Sequence, residues 1–177
     1  GVRYRAAYSL SAAGLASSVV LFALFAVLHR AEARALAVAD ERGEELRLLL
    51  DSTAEAIYGV DLEGRCTFCN QACLRLLGYE RPEQLLGGDV HERIHHSRDD
   101  ARPLPKDECR LHAALLSGEE AHVEGEPLWR ADGSSFPAEC WSHPQRRGGK
   151  VVGAVVTFID VTERLRADAA LRAQQAL

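Results

Sequence analysis

"AIYGVDLEGRCTFCNQACLRLLGY", residues 56–79, is the stretch that decides the fold. Its first residues, Ala56 to Val60, are apolar and rich in strand formers. Asp61–Gly64 has turn composition, and "CTFC" at 66–69 is a second short apolar run, so the segment reads as two strands around a turn. Asn70 stands where it can cap a helix over "QACLRLLGY", which Gly78 terminates. Three of the chain's five cysteines lie between residues 66 and 73. On a regular strand Cys66 and Cys69 are about 10 Å apart with side chains on opposite faces. A zinc-knuckle C-x-x-C needs a tight turn instead, and Cys73 falls about one turn into the helix. These three thiols therefore read as small apolar packing groups and not as a shared metal site.

Downstream, "RPEQLLGG" (81–88) predicts a short helix with Pro82 in its first turn. His91 to Lys106 is polar, contains Pro103 and Pro105, and reads as irregular. "KDECRLHAALLSG" (106–118) is a third helix ended by Gly118. Three strands follow, at 121–133, 134–149 and 150–160, with "ADGS" and "RRGGK" as the turns between them. The last, "KVVGAVVTFID", is almost wholly apolar, which predicts cover on both faces. The order of elements predicts an α+β domain over 51–160, with helices on one face of a five-stranded antiparallel sheet. "DVTERLRADAALRAQQAL" then opens a charged helix, assigned to an output segment over 161–177. Val161, Leu165, Ala169, Ala173 and Ala176 form its narrow apolar stripe.

Upstream, Ala6–Leu28 carries no charge over 23 residues, long enough as a helix to cross a hydrocarbon layer of about 30 Å. A signal peptide and a buried soluble helix are the rival readings; the run is long for the first. Residues 1–30 are assigned to a transmembrane helix, with basic residues at both ends that leave its orientation open. Residues 31–50 form a charged helical linker. Leu36, Gly43 and Leu50 are seven apart, with Ala39 and Leu46 at the complementary positions, a short heptad seam.

The chain has 177 residues, a formal charge of −5, seven histidines and five cysteines. That charge does not suggest nucleic-acid binding, and an odd cysteine count without regular spacing argues against a secreted disulfide framework. A start at Gly1, no methionine and an end inside a helical pattern suggest a piece of a longer protein. His91 and His95 are four apart and share a face if helical; His96 is adjacent and Cys109 follows 13 residues later. Imidazole and thiolate together suit zinc, iron or copper, so these four are the candidate metal ligands. No phosphate loop, nucleophile signature or kinase box marks an enzyme.

"AIYGVDLEGRCTFCNQACLRLLGY", "LWRADGSSFPAEC" and "VVGAVVTFIDVTER" together resemble the successive signatures of a PAS domain, over about Leu46 to Arg166. The resemblance implies a sensory or relay module of a bacterial signalling protein of the histidine kinase or diguanylate cyclase type. It also implies a homodimer through flanking helices and a C-terminal effector. With the apolar run, it places the chain at the bacterial cytoplasmic membrane with the PAS domain in the cytoplasm. "DVTER" resembles the family's junction into the output helix, with Asp160, Thr162 and Arg164 as its residues and Thr162 as a helix cap. Haem-binding members place an axial histidine on the helix that carries His112, so haem is a conceivable cofactor, behind zinc or iron at the His/Cys set. The flavin-reactive N-C-R-F-L-Q motif of light-sensing members is absent, and flavin is not expected. A metal- or redox-sensing domain and a passive dimerisation scaffold are the two alternatives.

Overall fold

The segment 56–79 folds as strand, bulged strand and capped helix. The computed structural model describes residues 2–175, and side chains from Leu21 onward except Ala23. Contacts divide the chain into two units, before and after Leu48/Leu49.

The first unit is the greater part of α1 (Val2–Asp51), a helix uninterrupted by proline. Leu36 and Leu46 of the heptad seam are exposed. Among the described residues no helix is long and apolar enough to cross a membrane. The structure thus finds no span, and the transmembrane stretch expected at Ala6–Leu28 falls largely on side chains outside those described.

The second unit holds β1 (Ala56–Val60), β2 (Cys66–Cys69), α2 (Gln71–Leu77), α3 (Val90–Ile94), α4 (Arg110–Ser117), β3 (Ala121–Trp129), β4 (Ser135–Arg147), β5 (Lys150–Asp160) and α5 (Thr162–Gln175). The five strands form one sheet in the order β2-β1-β5-β4-β3, every pair antiparallel. Register puts Ala56, Phe158, Cys140 and Val123 in one row across the sheet, and all four are buried. The next row on that face is Tyr58, Val156, Ser142 and Ala121. This inner face meets Leu74 and Leu77 of α2, Ile94 of α3, and Leu111 and Leu115 of α4 in one apolar core. The expected α+β architecture is present.

Several expectations change in detail. β5 is buried on one face only: Ala154, Val156 and Phe158 are inside, while Val155, Thr157 and Ile159 are half-buried. "RPEQLLGG" forms only a 3-10 turn at Pro82–Gln84. The polar stretch contains a helix, α3, because Asp89 accepts hydrogen bonds from the N–H groups of His91 and Glu92 and so starts it. The third helix is broken at Cys109 into a 3-10 turn (Lys106–Glu108) and α4.

Cys66 and Cys69 do not lie on opposite faces of β2 as expected. Tyr58 pairs with Cys69 and Val60 with Cys66, so Thr67 is an extra residue on β2. This bulge reverses the alternation and puts Cys66 and Cys69 on the same face as Tyr58 and Val60. Gly59 is required opposite it, since a Cβ there would lie 2.2 Å from the Phe68 ring. The neighbouring Cys69 thiol and burial push the Cys66 thiol far above its usual range, and burial does the same at Cys73. Among the described residues these thiols do not gather into a set of ligand atoms within 4.8 Å of one another, so they still read as packing groups.

Candidate functional site

His91 lies on α3 and His95 caps its C-terminus, so the two rings project from one short helix. They meet edge to face, 5.7 Å between centroids. The α3–α4 connection returns Cys109 beneath them. One ring nitrogen of each histidine and Cys109 Sγ all lie within 4.8 Å of one another. The closest pair is His95 Nδ1 and Cys109 Sγ, at 3.1 Å. His95 and Cys109 are buried, 3% and 2% exposed, and His91 is half-buried. Cys109 also caps α4, its sulfur accepting from the His112 N–H at 3.4 Å.

Each histidine is held from its far side. His91 Nε2 donates to the Leu104 carbonyl at 2.8 Å, which leaves Nδ1 as its lone-pair nitrogen; that atom is buried and makes no hydrogen bond among the described residues. His95 Nε2 donates to Glu126 Oε1 at 2.8 Å. Glu126 reaches it because β3 is bulged. Val123 pairs with Cys140 but Glu126 with Ala138, which places an extra residue between them; Gly125 takes φ +69 there. Alternation would leave Glu124 and Glu126 on one side; the bulge turns Glu126 to the inner face. The glycine inside "VEGEP" was the available sequence signal for this residue.

Burial alone would raise the Cys109 thiol, but His91 and His95 more than reverse this and bring it down to about 6. Burial would lower His95, but its bonds to Cys109 and Glu126 outweigh it and carry the ring up to about 9. By contrast, burial pushes Cys140 up to about 12.

His96, the fourth expected ligand, is not in the cluster. Its Nδ1 bonds Ser97 Oγ at 2.7 Å and its ring packs on Trp129, 5.1 Å between centroids. The backbone turns after His95, so adjacency in sequence does not bring the two rings together.

A cavity beside the cluster is lined by Tyr58, Ser142, His91, His95, Cys109 and His112, among others. Its space open to water centres is about 40 Å³, room for on the order of three waters. A tetrapyrrole does not fit there, so His112 has no haem to ligate in this arrangement. Lys106 closes one side by an ion pair with Asp89.

The second constellation is the start of α5. Asp160 Oδ1 accepts from Thr162 N at 2.9 Å and from the Thr162 hydroxyl. Asp160 Oδ2 accepts from Arg130 Nη2 at 3.1 Å. Arg164 pairs with Glu139 of β4 at 2.7 Å. The Glu139 carboxylate also accepts from His122 Nε2 at 2.8 Å. Thr162 is the first helical residue, and Asp160 does the capping assigned to it. Arg130, Glu139 and His122 were not foreseen, because all three pairings join elements far apart in the sequence.

A third hub is Asn70. Its Oδ1 accepts from Ile57 N and Cys73 N, both at 2.9 Å. Its Nδ2 stands within 3.1 Å of Leu50 O, Thr53 Oγ1 and Glu55 O. The expected helix cap therefore also ties the end of α1 to the sheet.

The family model for the PAS fold matches residues 44–161, and the chain belongs to the PAS family. Its fold is that of PAS sensory domains, such as those of histidine kinases. Among solved structures it is similar to an RNA-binding light-oxygen-voltage receptor at 24% identity and a TM-score of 0.61; the match covers 76% of this chain and 37% of that one. The PAS domain of an HTR-like protein from Haloarcula marismortui gives 20% identity and a TM-score of 0.53, covering 72% and 98%. A domain of a sensory box sensor histidine kinase/response regulator from Geobacter sulfurreducens gives 19% and 0.50, covering 67% and 94%. No curated protein matches the chain. The chain spans little more than a third of the light-oxygen-voltage receptor's length.

Proposed function

We propose that this chain is a signal-relay module: a change at the inner face of the sheet is passed through the Asp160 junction into α5 and on to a C-terminal effector. The observation that carries this is the double engagement of Asp160. One carboxylate oxygen caps α5 and the other holds Arg130, the residue after β3. Arg164 adds a bond from the first turn of α5 back to β4. The start of α5 is thus fastened to three strands, and a small shift in the sheet moves it. A sensor histidine kinase domain of similar fold supports an effector of the kinase type.

Pairing of two copies along the flanking helices completes the reading. Leu36 and Leu46 of α1 and Leu165 and Leu171 of α5 are exposed, and α5 buries none of its residues. A narrow apolar stripe of that kind does not hold a lone helix in water. The second copy supplies the missing surface, with Leu36, Gly43 and Leu50 in heptad register. Placement at a bacterial cytoplasmic membrane rests on the uncharged run Ala6–Leu28 alone.

The test is Arg130→Ala and Arg164→Ala in the full-length parent, read as the ratio of stimulated to unstimulated output. The relay predicts a changed ratio with the domain still folded. An unchanged ratio in both would favour a passive dimerisation scaffold.

A further inference from the structure

We propose that His91, His95 and Cys109 form a three-ligand site for a zinc-class divalent cation, open at its fourth position to the cavity beside Tyr58 and Ser142. This rests on the relay reading for its meaning, since it names the signal, but not for its chemistry.

Three observations carry it. The first is distance. Zinc–nitrogen and zinc–sulfur bonds of about 2.0–2.3 Å place ligand atoms roughly 3.3–3.6 Å apart in a tetrahedron. Here the three atoms already lie within 4.8 Å, with one pair at 3.1 Å. Small side-chain shifts close the set around an ion.

The second is orientation. A metal-binding histidine commonly donates its other N–H to a carboxylate or a backbone carbonyl, which fixes the tautomer and aims the lone pair. His95 does so to Glu126 and His91 to Leu104, one of each kind. Both rings therefore present Nδ1 as the ligating atom. The bulge at Gly125 brings a carboxylate inward to a buried ring, and the same shift turns Leu128 into the core.

The third is His91 Nδ1. It is buried and makes no hydrogen bond among the described residues. Buried polar atoms nearly always have a partner. An ion at the centre of the set supplies one.

Two imidazoles and one thiolate suit a borderline cation of tetrahedral preference, and oxygen-seeking magnesium or calcium does not fit. The three residues all line the cavity, so the remaining position takes a water or a small exogenous ligand. A site with three protein ligands and an open position exchanges more readily than a closed four-ligand one, as a sensor requires. The other gathered set, His122, Glu124 and Glu139, is unsuited to an ion because Arg164 already occupies Glu139.

The experiment is titration of the full chain, prepared with chelator and then freed of it, with Co²⁺ as the probe and Zn²⁺ as competitor. One equivalent of Co²⁺ should give a tetrahedral visible spectrum with a thiolate charge-transfer band, and one equivalent of Zn²⁺ should bleach it. Cys109→Ser should abolish the charge-transfer band; serine still caps α4, and circular dichroism checks the fold. Glu126→Ala should keep the spectrum but bind about 10–100-fold more weakly. His96→Ala should bind as wild type. An octahedral spectrum alone, or a band that survives Cys109→Ser, overturns the site. The two proposals fail separately. Metal binding without any effect of Zn²⁺ on the parent's output leaves the site and removes its role as signal. No binding, with output still sensitive to Arg130→Ala, leaves the relay and removes the site.

Discussion

Replacing Asn70 with alanine removes the hub that joins the end of α1, β1 and α2. Asn70 is 1% exposed, so the groups it leaves behind have little access to water. Two backbone donors, Ile57 N and Cys73 N, lose their acceptor. An orphaned buried donor costs about 1–3 kcal/mol, so the pair costs about 4 kcal/mol at mid-range. Leu50 O, Thr53 Oγ1 and Glu55 O lose a shared donor, but oxygens with two lone pairs tolerate an unmade bond better than an N–H does, which adds little. The expected loss is about 3–4 kcal/mol, a large part of a typical domain's 5–15 kcal/mol. Urea unfolding followed through Trp129 and Trp141, both on the sheet, measures it. Asn70→Asp is the companion: it keeps both accepted bonds and the α2 cap, yet sets a carboxylate against three oxygens, and should also be destabilised. A loss below about 1 kcal/mol in Asn70→Ala would refute the reasoning, because the accepted bonds would then be replaceable by water.

Gly125→Ala should cost about 1–2 kcal/mol from backbone conformation alone, since φ is +69 and no atom lies within 4 Å of the added Cβ; a neutral outcome in the same urea assay would mean the bulge does not need glycine. The bonds from His122 and Arg164 hold the Glu139 carboxyl below its ordinary value of 4.5. A lowered carboxylate stabilises the fold above its unfolded value and loses that contribution as pH falls through the folded one. Wild type should therefore exceed Glu139→Gln in thermal stability at neutral pH, and the gap should close only below about pH 4.5; a gap independent of pH would contradict this. Leu165→Glu with Leu171→Glu should convert the proposed dimer to a monomer in sedimentation, without loss of the PAS fold by circular dichroism.

Much of the fold could be read directly because its signals are local. The Asn70 cap, the Gly78 and Gly118 stops and the two hairpin turns each depend on a few adjacent residues. The bulges could not be read that way. Thr67 and Gly125 each shift the alternation by one, so every inference from period two reversed beyond them. That is why Cys66 and Cys69 share a face, and why Glu126 points inward. At the candidate site, His91, His95 and Cys109 were visible as residue types, but adjacency to His95 wrongly brought in His96, which lies past the end of α3. Asp160 was legible as a helix start. Its partner Arg130 was not, because a pairing across 30 residues depends on strand order, which no local pattern encodes.

The most direct test of the relay compares Asp160→Asn with Asp160→Ala in the full-length parent. Asparagine keeps an acceptor for Thr162 N but gives up the charge pair with Arg130; alanine gives up both. Hydrogen exchange at the first turn of α5 reports the cap, and the ratio of stimulated to unstimulated output reports the relay. The account predicts that Asp160→Asn keeps α5 protected yet shifts the output ratio, and that Asp160→Ala loses protection and coupling together. Wild-type response from both variants, with α5 frayed in Asp160→Ala, would contradict it: the junction would then be a helix cap and nothing more.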